Sequence, residues 1–284
     1  MSIKHIVSLA IVAAFLGLRG IASTASAAEA PVSDDSAAPS GRILFSADNF
    51  APVEGKAGEP LVVTIQASPS AARIVSWDMT VYDPGAMPFI SFKGQWPQAT
   101  VSWDGRGAEG DLVESASRYT FVARLRDSLG NVGEARGILN TGIVLLKGRS
   151  RYRIGISSIV FKPDTADFKD VTPAQKARNL ETLRLLAAKL KLYPGYAIRM
   201  EGHAVSTNWQ DGRKAAEEER ESLIPLSKAR AEAIKAALAK SGISPTSMTT
   251  VGLGAKDPVV PDSDVKNRWK NRRVEIYLEP SAKP

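Results

Sequence analysis

Two different patterns of hydrophobic and polar positions divide the chain after its first forty residues. Between residues 42 and 144, short runs of alternating apolar and polar residues are separated by turn residues such as Asp, Pro and Gly. The clearest of these runs are residues 61–65, 74–82, 99–103 and 119–125. Alternation at this spacing is typical of antiparallel strands, so the region is predicted to form a β-sandwich.

From residue 157 the spacing changes to one in which strands alternate with helices. Residues 172–175 read Thr-Pro-Ala-Gln, a capping box with proline at the first helical position, and residues 193–195 should stop this helix. A second helix is predicted from Leu226 to about Lys240, because its apolar residues recur at steps of three and four. The chain is therefore predicted to be α+β, with a mixed sheet covered by helices on one side in its C-terminal domain, residues 157–284.

Residues 145–156 connect the two regions without a segment rich in Pro or Ser. Apolar runs on both sides of Lys147-Gly148 predict a hairpin. Because such a connection is short and structured, we expect the sandwich to be docked rigidly on the C-terminal domain.

The first 41 residues predict export. Lys4 gives a positive start, residues 6–18 are apolar, and Ala25-Ser26-Ala27 fits a signal-peptidase site. Residues 1–27 are predicted to be a signal peptide, and residues 28–41, rich in Ala, Ser and Pro, a flexible tether. The mature chain is expected in the periplasm, associated with the cell wall or outer membrane, without a transmembrane span.

The net charge and the content of cysteine and histidine limit the kinds of partner and site that are expected. The 37 basic and 30 acidic residues give a net charge of +7, and removal of Lys4 and Arg19 with the signal peptide leaves +5. This charge suits a polyanionic wall or an anionic lipid surface. The chain lacks cysteine and His203 is the only histidine after the signal peptide, so neither a disulfide nor the usual zinc site is expected. We expect no cofactor, no catalytic residues and, because the chain is exported, no nucleic-acid partner.

Arg230 is the first candidate for binding chemistry. It lies four residues after Leu226 and four before Ile234, in line with the apolar face and in the first turn of the predicted helix. Backbone amides in a first turn favour an anion, and a guanidinium is well shaped to bind a carboxylate. On spacing alone, a snorkelling arginine or an internal ion pair is the more common explanation.

Six sequence blocks in this half of the chain resemble the OmpA-like peptidoglycan-binding domain. They are Ile159-Val160-Phe161, Asn179-Leu180, IRMEGH at 198–203, LSKARA at 226–231, VGLG at 251–254 and NRRVEI at 271–276. The resemblance implies non-covalent binding of the peptidoglycan stem peptide and no enzymatic activity. It implies that Arg230 holds a carboxylate of the diamino acid and that backbone donors near His203 and Ala204 orient the peptide. The residues implied to flank the peptide are Asn271, Arg272 and Arg273.

Two positions depart from the family pattern. Val205 stands where the family usually has an aspartate that helps to hold the diamino acid, and Leu223 stands where it tends to have an asparagine. Asp211, or a carboxylate within residues 217–221, is a candidate replacement for the missing charge. Those charged residues belong to an unusually long insert, residues 206–225, and are most simply the solvated face of an extra helix.

These departures keep two other functions open. The domain would be a protein-interaction scaffold if loss of the aspartate at Val205 abolished peptidoglycan binding. Hydrolysis through Glu201 is a third, less favoured hypothesis. The Val205 loop and the acidic insert also resemble OmpA-like proteins of spirochaetes.

The first domain carries a resemblance of its own. The run VSWDG at 101–105, with Gly110, residues 112–113 and Tyr119 after it, resembles the Ig-like repeat of the flagellar hook-cap family. We take from it an Ig-like fold and not the flagellar role. The domain is expected to be a spacer or an adaptor for another envelope protein. Trp77 and Trp103 are predicted to pack in its core.

Overall fold

The computed structural model describes residues 38–52, 59–70 and 72–280 of the 284-residue chain. The predicted signal peptide, residues 1–27, and residues 28–37 of the predicted tether lie outside the described residues. Within the described ranges, the helices are all too short or too polar to cross a membrane.

The N-terminal domain is built from two packed β-sheets. Its strands are β1 (Gly41–Phe45), β2 (Asn49–Phe50), β3 (Leu61–Ala67), β4 (Ile74–Tyr82), β5 (Pro88–Gln95), β6 (Thr100–Trp103), β7 (Arg118–Asp127) and β8 (Val132–Thr141). One sheet has the order β1-β3-β6 and is antiparallel. The other has the order β2-β8-β7-β4-β5 and is antiparallel except for the β2–β8 pair.

A single hydrophobic core joins the inner faces of these two sheets. Alternate residues of β3 and β7, such as Val63 and Phe121, are fully buried, as expected for strands with one solvated face. Trp103 packs edge-on against Phe121 with ring centroids 5.6 Å apart. Trp77 is also buried and its indole N–H donates to the Gln98 carbonyl at 2.9 Å. Both tryptophans are therefore core residues.

The C-terminal domain is a mixed five-stranded sheet with helices on one face. Its strands are β9 (Leu146–Lys147), β10 (Tyr152–Ile156), β11 (Tyr196–Gly202), β12 (Met248–Gly252) and β13 (Val274–Pro280), in the order β12-β11-β13-β10-β9. β11 and β12 are parallel and the other pairs are antiparallel. The helices are α1 (Pro173–Leu190), α2 (Gly212–Glu218) and α3 (Ile224–Lys240).

Apolar residues at alternate strand positions fill the space between the sheet and α1 and α3. Ile154, Met200 and Ile276 are fully buried there, together with Leu186 of α1 and Ile234 of α3. The predicted capping box starts α1, because the Thr172 side chain and Gln175 bond reciprocally. The predicted mixed sheet with a helical layer is thus confirmed.

One predicted boundary is wrong. The sequence pattern places the start of the second helix at Leu226, but α2, a π-helical turn (Glu219–Leu223) and α3 form one continuous helical run. Pro225, which lacks an N–H group, lies within this run. The wider turn before it, in which Ile224 donates to the Glu219 carbonyl, accommodates this proline. Arg230 therefore lies inside a helix, where free backbone amides do not contribute to anion binding.

The opposite, polar face of the C-terminal sheet meets the N-terminal domain. Lys270 lies 3.7 Å from Asp83, and the two side chains are only 18% and 4% exposed. Ser157 donates to Glu114 at 3.1 Å. The predicted hairpin forms between β9 and β10, and β10 continues the sheet by pairing with β13. The connection is thus part of the C-terminal sheet.

Candidate functional site

Arg230 is half-buried on α3 and faces the loop that follows Phe161. Its Nε donates to the Thr165 carbonyl at 3.0 Å, and its guanidinium carbon lies 5.1 Å from the centroid of the Phe161 ring. In the part of the chain that the structure describes, Arg230 forms no ion pair with a carboxylate. Among the described residues, its two terminal nitrogens form no hydrogen bond.

Arg230 lies in a cationic environment. Burial and the positive charge of Arg272 lower its pKa, whereas the negative charge of Asp164 acts in the opposite direction. Arg272 is exposed and directly follows the short helical turn Arg268–Asn271, before β13 begins at Val274. A carboxylate placed between these two guanidinium groups would relieve their repulsion.

Asn179 of α1 fixes the loop below Arg230. Its side-chain oxygen accepts from the Val160 N–H at 2.9 Å, and its amide nitrogen donates to the carbonyls of Val160 and Phe168, both at 2.8 Å. Asn179 is fully buried. The asparagine of the second sequence block is thus a structural residue that positions Phe161 and Thr165.

The backbone after β11 offers no free donor at two predicted positions. The His203 N–H donates to the Arg273 carbonyl at 2.9 Å, and the Ala204 N–H donates to the Gly254 carbonyl at 2.7 Å. Both residues are buried. These bonds tie the end of β11 to the strand and loop beside it.

The three residues of the predicted flanking block have different surroundings. Asn271 is buried and its amide bonds the backbone of Val259 and Val260. Arg273 is buried and donates to Glu275 at 2.8 Å. Only Arg272 is exposed beside Arg230. The charge of Arg272 therefore acts on Arg230, whereas Arg273 is buried and paired with Glu275.

His203 belongs to a buried charged network on the polar face of the sheet. Ligand-type atoms of Glu201, His203 and Glu275 lie within 4.8 Å of one another, a metal-like grouping that the sequence did not suggest. Burial and the charge of Arg273 lower the pKa of His203 to about 4, so the ring is neutral at pH 7. Arg199 lies 2.7 Å from Glu201. Because arginines already pair with both carboxylates, the network is better suited to stabilising the fold than to holding a cation.

The candidate replacements for the missing aspartate are used to hold loops. Asp211 caps α2 by accepting from two backbone amides. Glu218 accepts four hydrogen bonds from residues 206–208; burial opposes ionisation, but these bonds lower its pKa to about 2. Glu219 accepts from the Ala255 N–H at 2.9 Å. None of the three pairs with Arg230.

The carboxylate that acts on Arg230 is Asp164, a residue that the sequence reasoning missed. Asp164 is exposed and adopts a left-handed backbone conformation with φ of 54°. The adjacent Thr165 carbonyl binds Arg230, so the turn places this carboxyl group at the same site. The sequence signal was weak: an aspartate, which tolerates this conformation, three residues after Phe161.

Residues 160–272 match the sequence model of the OmpA family. The chain is 31% identical to the probable lipoprotein YiaD of Escherichia coli over 133 residues, 47% of this chain and 56% of that protein. It is 36% identical to the peptidoglycan-associated lipoprotein of Agrobacterium fabrum over 98 residues, 34% of this chain and 50% of that protein. The chain thus spans about half the length of these relatives.

Two further comparisons are with a mycobacterial protein and a solved structure. The peptidoglycan-binding protein ArfA of Mycobacterium tuberculosis is 33% identical over 98 residues, 34% of this chain and 27% of that protein. The periplasmic domain of Helicobacter pylori MotB is 20% identical, with 49% of this chain and 79% of that chain covered and a TM-score of 0.39. The C-terminal domain is OmpA-like; the hook-cap and spirochaetal resemblances stay predictions.

Proposed function

We propose that the C-terminal domain binds the stem peptide of peptidoglycan non-covalently and anchors an envelope component to the cell wall. The observation that carries this proposal is Arg230 in the LSKARA block, which is half-buried and, among the described residues, forms no salt bridge, although the charge of Asp164 acts on it. The match to the OmpA family, and relatives named peptidoglycan-binding or peptidoglycan-associated proteins, support it.

In this mechanism no bond is made or broken. Arg230 and Arg272 bind a carboxylate of the diamino acid from two sides, and Asp164 accepts its ammonium group in place of the aspartate replaced by Val205. The loops that border the site are held in place by hydrogen bonds of four residues that do not contact the peptide, namely His203, Ala204, Asn271 and Arg273. A charge-assisted contact of this kind contributes about 1.5–3 kcal/mol, so Arg230→Ala should weaken binding about ten- to a hundred-fold.

The proposal extends to the whole mature chain. We place it in the periplasm at the wall or outer membrane, with the Ig-like N-terminal domain as a spacer or adaptor that binds another envelope protein. Since the site consists of binding groups around Arg230, we assign no enzymatic activity. Val205 favours one alternative function, a protein-interaction scaffold that has lost peptidoglycan binding.

Co-sedimentation of the mature protein with purified peptidoglycan tests the proposal. The wild type should pellet, Arg230→Ala should stay in the supernatant, and Arg178→Ala, which removes an equal charge from the exposed surface of α1, should pellet. Pelleting of all three would show that Arg230 does not hold the wall. Failure of the wild type to pellet would overturn the proposal in favour of the scaffold.

A further inference from the structure

A second candidate site lies between the two domains, away from Arg230. A cavity of about 720 Å³ separates the N-terminal domain from the polar face of the C-terminal sheet. Its charged lining includes Glu114 from the first domain and Lys270, Arg273 and Glu275 from the second. Small-molecule sites have volumes of about 300–1,000 Å³ and often lie at domain interfaces.

Arg273 gives this cavity an unsatisfied cationic donor. The residue is only 7% exposed, its Nε donates to Glu275 at 2.8 Å and its Nη2 donates to the Asp257 carbonyl at 3.1 Å. Its Nη1 is fully buried and has no hydrogen-bond partner among the described residues. A buried charged donor without an acceptor is costly, so a ligand oxygen in the cavity would stabilise it.

Lys270 adds a second positive charge on the same wall. Its ammonium group lies 3.7 Å from Asp83, longer than a normal hydrogen bond, and its side chain is 18% exposed. It can therefore turn part of its donor capacity toward the cavity.

Glu114 supplies the opposite charge from the N-terminal domain. Burial raises the pKa of Glu114, and the positive charges of Lys270 and Arg273 act against that shift. Glu114 therefore interacts electrostatically with both cations. One carboxylate oxygen accepts from Ser157 at 3.1 Å. The other oxygen is available to a donor within the cavity.

We propose that this cavity binds a small zwitterion, an amino acid or short peptide with free amino and carboxyl ends. Its carboxylate binds Arg273 and Lys270, and its ammonium group binds Glu114. A molecule with both charges is selected, because one with a single charge leaves a buried group at the other end unpaired. Such a ligand contacts both domains and holds them together. This site is independent of wall binding through Arg230.

Calorimetric titration of the full chain with three forms of alanyl-alanine tests the proposal. The unmodified dipeptide should bind, and its N-acetylated and C-amidated forms should each bind about ten-fold more weakly or worse, since each loses one charge-assisted contact. No heat and no saturation-transfer NMR signal with the unmodified dipeptide at millimolar concentration would overturn the proposal. Equal binding of all three forms would overturn the assignment to zwitterions.

Variants locate the ligand in the cavity. Glu114→Gln preserves the side-chain shape and the bond from Ser157, and should weaken dipeptide binding about ten-fold while leaving the N-acetylated form unchanged. Glu109→Gln removes the same charge from the exposed rim of the cavity and should have no effect. Equal effects of the two variants, or no effect of Glu114→Gln, would contradict the proposal.

The positively charged side of the cavity is tested at Lys270, because replacement of the buried Arg273 could unfold the protein. Lys270→Gln should weaken binding of the unmodified dipeptide and leave that of the C-amidated form unchanged. The reverse pattern would place the carboxylate elsewhere. Peptidoglycan pelleting should be the same in wild type, Glu114→Gln and Lys270→Gln, which separates this site from the one at Arg230.

Discussion

Gly202 ends β11 at the point where α3 crosses the sheet, and a side chain there should force the helix away. A Cβ atom at this position would lie 2.0 Å from the Ser227 carbonyl oxygen and 2.6 Å from its carbonyl carbon, whereas ordinary contacts are 3.4–4 Å. Both are backbone atoms and cannot rotate away. In Gly202→Ala, α3 must therefore move by at least about 1 Å.

The cost follows from what has to move. Overpacking a core typically costs 1–3 kcal/mol, and we expect about 3 kcal/mol here because a helix backbone and not a side chain must shift. For a folded region of this size, each kcal/mol lowers Tm by about 2–4 °C, so Gly202→Ala should lower Tm by about 6–12 °C. Ser227 is three residues before Arg230, so peptidoglycan binding should weaken as well.

Gly155→Ala is the matched control, because it is the same substitution in the neighbouring part of the same sheet. A Cβ atom at Gly155 on β10 has no atom within 4 Å. Its effect on the free energy of unfolding should stay within about 0.5 kcal/mol. Differential scanning calorimetry of both variants provides the test. A Gly202→Ala protein as stable as the wild type would refute the close approach of β11 and α3.

Three further predictions follow from buried groups and from the domain contact. Burial lowers the pKa of His203 from 6.5 to about 4. Between pH 6.5 and pH 4 the unfolded chain therefore binds a proton at this residue that the folded chain does not bind. The free energy of unfolding should fall by up to about 3 kcal/mol from pH 7 to pH 4. Thermal denaturation of His203→Gln should show a smaller decrease, and an identical one would contradict the assignment. Asn179→Ala leaves buried backbone groups unpaired and should cost about 2–4 kcal/mol in urea unfolding, and a loss below about 1 kcal/mol would count against the loop anchor. Small-angle scattering should show the two domains as one rigid body, because Asp83 and Lys270 pair across the contact, and a broad spread of interdomain distances would contradict this.

The strands that could be predicted are those with uninterrupted alternation. β4 has the predicted bounds, because Trp77, Met79 and Val81 alternate cleanly before an Asp-Pro-Gly turn. β8 was not predicted, although it pairs with β7 along its length. Its sequence VGEARGILNT contains few apolar residues and no regular alternation, so its place in the sheet is fixed by hydrogen bonding to β7, from which only residues 128–131 separate it.

In the helical region, the spacing of apolar residues predicts the buried face of α3 but not where the helical run begins. The apolar spacing from Leu226 identifies the buried face of α3, including Ile234 and Leu238. It does not identify the start of the helical run, because residues 217–221 are all charged and contain no apolar spacing. The π-helical turn that resolves this depends on loop contacts of Glu218 and Glu219, which are tertiary.

The candidate site was predictable in its central residue and not in its surroundings. Arg230 follows from the sequence block, but Thr165, whose carbonyl accepts its hydrogen bond, and Asp164, whose charge acts on it, belong to a loop without any repeating pattern. Arg272 and Arg273 are adjacent, yet Arg272 is exposed, whereas Arg273 is buried and donates to Glu275 and to the Asp257 carbonyl. Which of two neighbouring arginines is exposed is decided by these tertiary contacts and not by composition.

The central claim is that Arg230 binds a carboxylate of the wall peptide. Calorimetric titration with a soluble stem peptide, in its free-acid form and with that carboxylate amidated, tests it most directly in wild type and Arg230→Ala. Amidation should weaken binding to the wild type about ten- to a hundred-fold and add little further loss in the variant, because both changes remove the same contact. Equal binding of the two peptides by the wild type, or equal losses on amidation in both proteins, would contradict it.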